Sequence, residues 1–139
     1  MSVAIPVIRR PLCASVAARP VSIPRRLAWV AIATAAIAAL TVVWPGAALG
    51  VTALVAPDVP LLLPRAWAAR GRLRPWAVPL YNTTHALAGP LLLGAVGAVT
   101  LAAGAGTAVL GVACAWLSHV TVDRALGYDL RDANGDVRG

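Results

Sequence analysis

Residues 27–44 read LAWVAIATAAIAALTVVW, eighteen consecutive positions without one charged side chain. At about 1.5 Å of rise per residue, a helix of that length comes close to crossing the roughly 30 Å hydrocarbon core of a bilayer. Backbone amides have no water to bond there, so a helix or a closed barrel is the only conformation such a run can take in lipid. Three further apolar runs follow, at 47–63, 78–103 and 107–122. Charged residues make up 12% of the chain, about half the share usual in a soluble domain. The runs predict an all-α fold: an integral membrane four-helix bundle spanning residues 27–128.

The punctuation agrees with four spans. Pro45-Gly46 ends the first run, and Gly104 and Gly106 mark a tight turn between the last two. Pro57 and Pro60 interrupt the second. A basic linker, PRAWAARGRLRPW, occupies 64–76. Residues 1–26 hold four prolines and five arginines and are expected to be a disordered cytoplasmic tail. Residues 129–139 are expected to be a short polar cytoplasmic tail. A secretory signal peptide is the rival reading of the first run, because GAA follows it. The long basic tail and the further spans favour an uncleaved helix.

All the basic charge is arginine. Five arginines precede the first run, four lie in the linker and three follow the last run, while the connections at 45–46 and 103–106 have none. The positive-inside rule then places both termini and the linker in the cytoplasm, with the chain in the cell inner (plasma) membrane. A formal charge of +7 would suit nucleic acid in a soluble chain. Beside several spans it reads as a contact with anionic lipid, so the expected partner is the lipid bilayer and not nucleic acid. Trp29, Trp44, Trp67 and Trp76 fall near the expected interfaces. Cys13 and Cys114 are too far apart for a metal motif or a disulfide framework, and Cys114 reads as a small apolar helix residue.

Four titratable side chains interrupt the apolar runs: Asp58, His85, His119 and Asp123. Counted along their helices, all four fall within roughly 10 Å of the cytoplasmic boundary. His119 and Asp123 are four residues apart, on one helix face. Ionisable groups in a membrane cost about 2.5–3.5 kcal/mol each on insertion scales, so they usually face the bundle interior and mark a site. Each has a local explanation when taken alone. Asp58 between prolines suits a helix cap, His85 can bond a hydroxyl of YNTT, and Asp123 can pair with Arg124. Convergence of the set at one depth points to a shared polar site, and imidazole with carboxylate is a donor set for one divalent metal ion. Tyr81, Asn82 and Arg124 are the supporting candidates: the first two to orient water or substrate, the third to hold an anion. HExxH, the glycine-rich phosphate loop and GxSxG are all missing.

The PD of the second run, YNTTHAL opening the third, and AWLSHVTVDRALGYDLR at the end together resemble the domain-of-unknown-function 4260 family, over about residues 27–132. The resemblance implies a small bacterial four-helix membrane protein and carries no established activity. Two flanks depart from the family pattern. VPLLLPRAW stands where a Leu-Gly-Tyr often follows PD, and Asp129 and Arg131 replace a glycine and a lysine near the end. The Asn, His and Asp positions are untouched. The His/Asp pattern is similar in style to that of inner-membrane metal-dependent hydrolases, an analogy only.

Two functions from different classes stay open. The cluster can bind a divalent ion and hydrolyse a phosphoester or amide, for instance of a lipid headgroup. Alternatively it is a hydrogen-bond network in a structural or partner-binding membrane subunit, its helices brought close by Gly89, Gly94, Gly97 and Gly111. Pro90 is expected to bend the third span about a turn past His85. A proton or solute path lacks support, because the outer half of every run is apolar.

Overall fold

The computed structural model describes residues 22–138. Helix α1 runs Ile23–Val42, α2 Ala47–Val55 and, after a 3₁₀ turn at Ala56–Asp58, α3 Val59–Leu62. A small antiparallel hairpin follows, β1 Trp67–Ala69 and β2 Arg72–Leu73. Then come α4 Val78–His85, α5 Ala88–Ala102 and α6 Ala108–Leu126. The chain is thus mostly helical, as expected. The disorder expected of the N-terminal tail, and Cys13 with it, falls on residues outside those described, except for 22–26. Of these, Ile23 onward already belongs to α1, with Pro24 in its first turn, where a missing N–H costs nothing.

Helix α6 is the hub. Helices α1, α2 and α5 all pack on it. Its buried positions are mostly small or short: Gly111, Ala113, Ala115, Ser118 and Thr121. Ala33, Ala36 and Leu40 supply the facing stripe of α1. Large apolar side chains lie outside, among them Ile32, Ile37, Val51, Leu91, Leu92, Val96 and Val99. Small residues inside and large apolar ones outside is the arrangement lipid favours, since packing rather than exclusion of water joins the helices. Three helical stretches are long and apolar enough to cross a membrane: Ile23–Val42, the α4–α5 stretch Val78–Ala102, and Ala108–Leu126.

The helices approach closely at the far end of the α1–α6 pair. A Cβ on Gly111 would lie 2.2 Å from the Val43 carbonyl oxygen and 2.7 Å from Pro45 Cδ. Neither is the tip of a flexible side chain, so one helix must move. Gly111→Ala is expected to cost about 1–3 kcal/mol, the usual range for overpacking, read as a lowered unfolding temperature in mild detergent. An unchanged unfolding temperature would mean the helices do not meet so closely.

The expectation of four continuous spans is met in part. The second run forms a shorter apolar stretch, Ala47–Leu62, broken where Pro57 and Pro60 remove two helical donors. It still returns the chain from the Pro45 end of the bundle to the end holding Arg25, because Asp58 contacts His85 and Arg25 contacts Asp129. The third run is also broken, but immediately after His85 rather than about a turn past it. Ala86 leaves the helix with ψ 136°, and α5 starts at Ala88. Pro90 explains the position. Its ring would clash with the carbonyl four residues back, which is that of Ala86.

The linker and the C-terminal tail are more ordered than their composition suggested. Gly127 ends α6 in the left-handed region, φ 97°, and Tyr128 N–H bonds Asp123 O at 2.8 Å. The tail then turns at Asp132–Asp136 and docks on the hairpin, with Leu73 N–H donating to Gly135 O at 3.0 Å. Gly135 has φ 88°, and a Cβ there would sit 1.9 Å from the Leu73 carbonyl oxygen, so only glycine fits. Ala66, Leu73, Ala77, Val78 and Tyr81 form a small core beneath.

Candidate metal centre

Two breaks in helical regularity and one continuous helix build the site. The proline-bounded 3₁₀ turn presents Asp58, which makes no side-chain cap bond to the helix it precedes. The end of α4 presents His85. The last turns of α6 present His119 and Asp123 from one face. Their donor atoms all lie within 4.8 Å of one another. His85 Nε2 is 3.4 Å from Asp58 Oδ1, 3.3 Å from Asp123 Oδ2 and 3.4 Å from His119 Nε2. His119 Nε2 is 3.6 Å from Asp58 Oδ1 and 3.5 Å from Asp123 Oδ2.

A charge-assisted hydrogen bond between imidazolium and carboxylate closes to about 2.7–2.9 Å. All five separations are longer. A tetrahedral ion with bonds of about 2.0–2.2 Å holds its ligand atoms about 3.3–3.6 Å apart, the range of five of the six donor pairs; the Asp58–Asp123 pair lies within the 4.8 Å that bounds the whole group. The group can hold a metal ion, and two carboxylates with two neutral imidazoles would balance a divalent charge.

The surrounding shell orients the donors. His85 Nδ1 lies 3.1 Å from the Tyr81 carbonyl. That oxygen only accepts, and Thr84 Oγ1 also lies 3.2 Å from Nδ1; with the proton on Nδ1 the ring would turn an Nε2 lone pair to the cluster. Tyr81 stacks on the His85 ring, centroids 3.9 Å apart. The break after His85 frees two carbonyls, and α6 answers both: Trp116 Nε1 donates to Thr84 O at 2.7 Å and Arg124 Nη2 to His85 O at 3.1 Å. Thr84 Oγ1 bonds Pro57 O at 2.9 Å, tying the α2–α3 junction to α4. Exposure is graded across the donors. The His85 side chain is 3% exposed and that of Asp58 42%, so the centre opens on the Asp58 side.

Two supporting candidates stand apart from the donors. Asn82 grips the backbone of Arg131, donating to its carbonyl at 2.9 Å and accepting from its N–H at 2.8 Å. Arg124 is buried and bonds Asp129, which Arg25 holds at 2.9 Å from the other side. Asp123 therefore does not pair with Arg124. Sequence reasoning assigned no role to Trp116 or Asp129, and of Thr84 it expected only a hydroxyl bond to His85, a contact the structure has at 3.2 Å. The signals for Trp116 and Thr84 were their places, Trp116 one turn before His119 and Thr84 inside YNTTH.

A family model described as Domain of unknown function (DUF4260) matches residues 25–136. The chain belongs to that family. No curated protein and no solved structure matches it. The DUF4260 match takes in all four donors and their shell, and also Arg25 and the docked tail.

Proposed function

We propose that this DUF4260 protein is a four-span protein of the cell inner membrane, both termini cytoplasmic, that binds one divalent ion through Asp58, His85, His119 and Asp123 and uses it to hydrolyse a phosphoester or amide at headgroup level. The observation that carries this reading is the convergence of four donor atoms within 4.8 Å, with five of their separations at 3.3–3.6 Å, spacings that suit ligands around one ion and are longer than close charge-assisted hydrogen bonds. An ion in such a site supplies Lewis acidity and an activated water. The chain's own residues do the rest. His85, oriented by Tyr81 O, and His119 would present their ring nitrogens to the ion. The exposed Asp58 flank admits the scissile group. Arg124 keeps a cation close by, while its bond to His85 O fixes the histidine's backbone.

The topology rests on the arginines. Arg25, the linker hairpin and the tail meet at one end through Arg25–Asp129, Leu73–Gly135 and the bond from Arg131 to Gly71 O. The connections at the opposite end carry no arginine. Ala105→Cys is expected to react with an impermeant thiol reagent in intact cells and Arg70→Cys only after permeabilisation. The reverse pattern would sink the orientation.

The chemistry is tested on detergent-purified protein. Its metal content is measured first, and hydrolysis of a panel of phosphodiesters and fatty-acyl amides is then followed with and without chelator. Turnover that needs the ion supports the proposal. An ion-loaded protein inert across the panel would leave a metal site without the hydrolase.

A further inference from the structure

Helices α2 and α5 both lean on α6 and have little direct packing on each other. Between them runs a groove with a cavity of about 320 Å³, at the lower end of the range for ligand pockets. Its walls are Leu49, Thr52 and Ala56 on one side and Leu93 on the other, with Val112 and Trp116 as the floor. The lining is apolar along its length. Its upper end is formed by Pro57 and Thr84, the chain neighbours of Asp58 and His85. Gly89 keeps that floor in place, since a Cβ there would strike the Trp116 ring at 2.5 Å. The groove thus starts among side chains at bilayer depth and ends beside the donor cluster.

We infer that this groove holds one acyl chain of a membrane lipid, with the lipid's anionic headgroup at the Asp58–His85 end. The inference deepens the proposed function by naming its substrate class, and it rests on that reading for what the headgroup meets. Three observations favour this occupant. The groove is continuous with the outward apolar surface of α2 and α5, where Leu49, Val51, Leu91 and Leu92 are exposed. Among the described residues the arginines lie at the end beside the cluster, Arg25, Arg65 and Arg124 among them, and the connections at the other end, 45–46 and 103–106, have none, so charge favours an anionic headgroup at the cluster end. The absence of polar side chains below Thr52 and Thr84 leaves nothing in the groove for a polar ligand to bond.

The test uses the full chain in mild-detergent micelles, titrated with a phosphatidylglycerol brominated along its acyl chains, which quenches nearby tryptophan. The signal is the part of the quenching present in wild type and missing in Trp116→Phe. Thr52→Phe, at an exposed position on the groove wall, fills the groove from outside without entering the helix core. A saturable Trp116 component that is lost in Thr52→Phe supports the inference. Quenching that rises without saturation, or is the same in wild type and Thr52→Phe, overturns it. Metal content is measured on the same samples. Metal retained with no saturable component means the groove inference fails and the metal reading stands; saturable quenching with no metal means the reverse.

Discussion

Purified in mild detergent and incubated with zinc, the wild-type chain is expected to hold about one ion, and both His119→Gln and His119→Ala to hold none. Glutamine keeps most of the hydrogen-bonding shape of histidine but is not a ligand of tetrahedral zinc sites. It therefore separates an ion from a network. If an ion sits among the four donors, both variants fail alike. Unfolding should show the same division, because a ligand at a hundredfold its dissociation constant stabilises by about 2.7 kcal/mol, and both variants should lose that increment together. If the cluster is only a network, no divalent ion binds wild type, Gln is tolerated, and Ala is least stable because it strands buried partners. The intermediate exposure of His119, beside the nearly enclosed His85, makes it the better residue to change, since less packing is lost with it.

The cluster was legible because the cost of charge in a membrane makes depth informative. Asp58, His85, His119 and Asp123 stand out against apolar runs, and counting residues along each run brings them to one level. Counting could not reveal how each helix is broken. The bend expected about a turn past His85 instead falls at Ala86, because a proline acts four residues back as well as at its own position. That displacement matters to the site: it frees the carbonyls of Thr84 and His85, which Trp116 and Arg124 then take. The second run illustrates the same limit. Its composition reads as a span, while its two prolines make it a short helix, a 3₁₀ turn and another short helix.

The tail misled for a different reason. Polar, glycine-containing segments such as RDANGD look like solvent-exposed ends, and nothing local distinguishes one that docks. Here the order comes from distant partners. Asn82, read as a residue that orients water or substrate, instead mimics a strand edge for the backbone of Arg131. Arg131 itself is 4% exposed and lies over the rings of Tyr81 and Trp67, at 5.3 and 6.0 Å from their centroids, a cation–π arrangement. Since Tyr81 also stacks on His85, the tail braces the histidine from behind. That coupling is long-range in sequence and is invisible to any window along it.

Arg124→Ala is expected to be the most destabilising single change among the described residues, by about 3–5 kcal/mol, the range for removing one partner of a buried ion pair. The guanidinium joins three parts of the molecule. One nitrogen bonds Asp129 in the tail, the other bonds the His85 carbonyl at the end of α4, and Arg25 at the start of α1 shares the same aspartate. Truncation leaves the His85 carbonyl without its donor at a break where no helical N–H can replace it. It also leaves Asp129 to an arginine whose side chain is half exposed, 51%, and exposed pairs contribute little. Arg124→Lys keeps the charge, but a single ammonium on a flexible stem cannot span both acceptors as the planar fork does. Lysine should therefore recover part of the loss and not all of it. Thermal unfolding of wild type, Arg124→Lys and Arg124→Ala, each with and without zinc, measures both effects. Stability should fall in that order. The zinc increment should shrink with it, because the carbonyl that Arg124 holds belongs to the residue that presents Nε2 to the ion. If the Lys and Ala variants prove equally stable, charge at this position does not matter; if both keep the full zinc increment, the backbone of His85 is held by something other than Arg124.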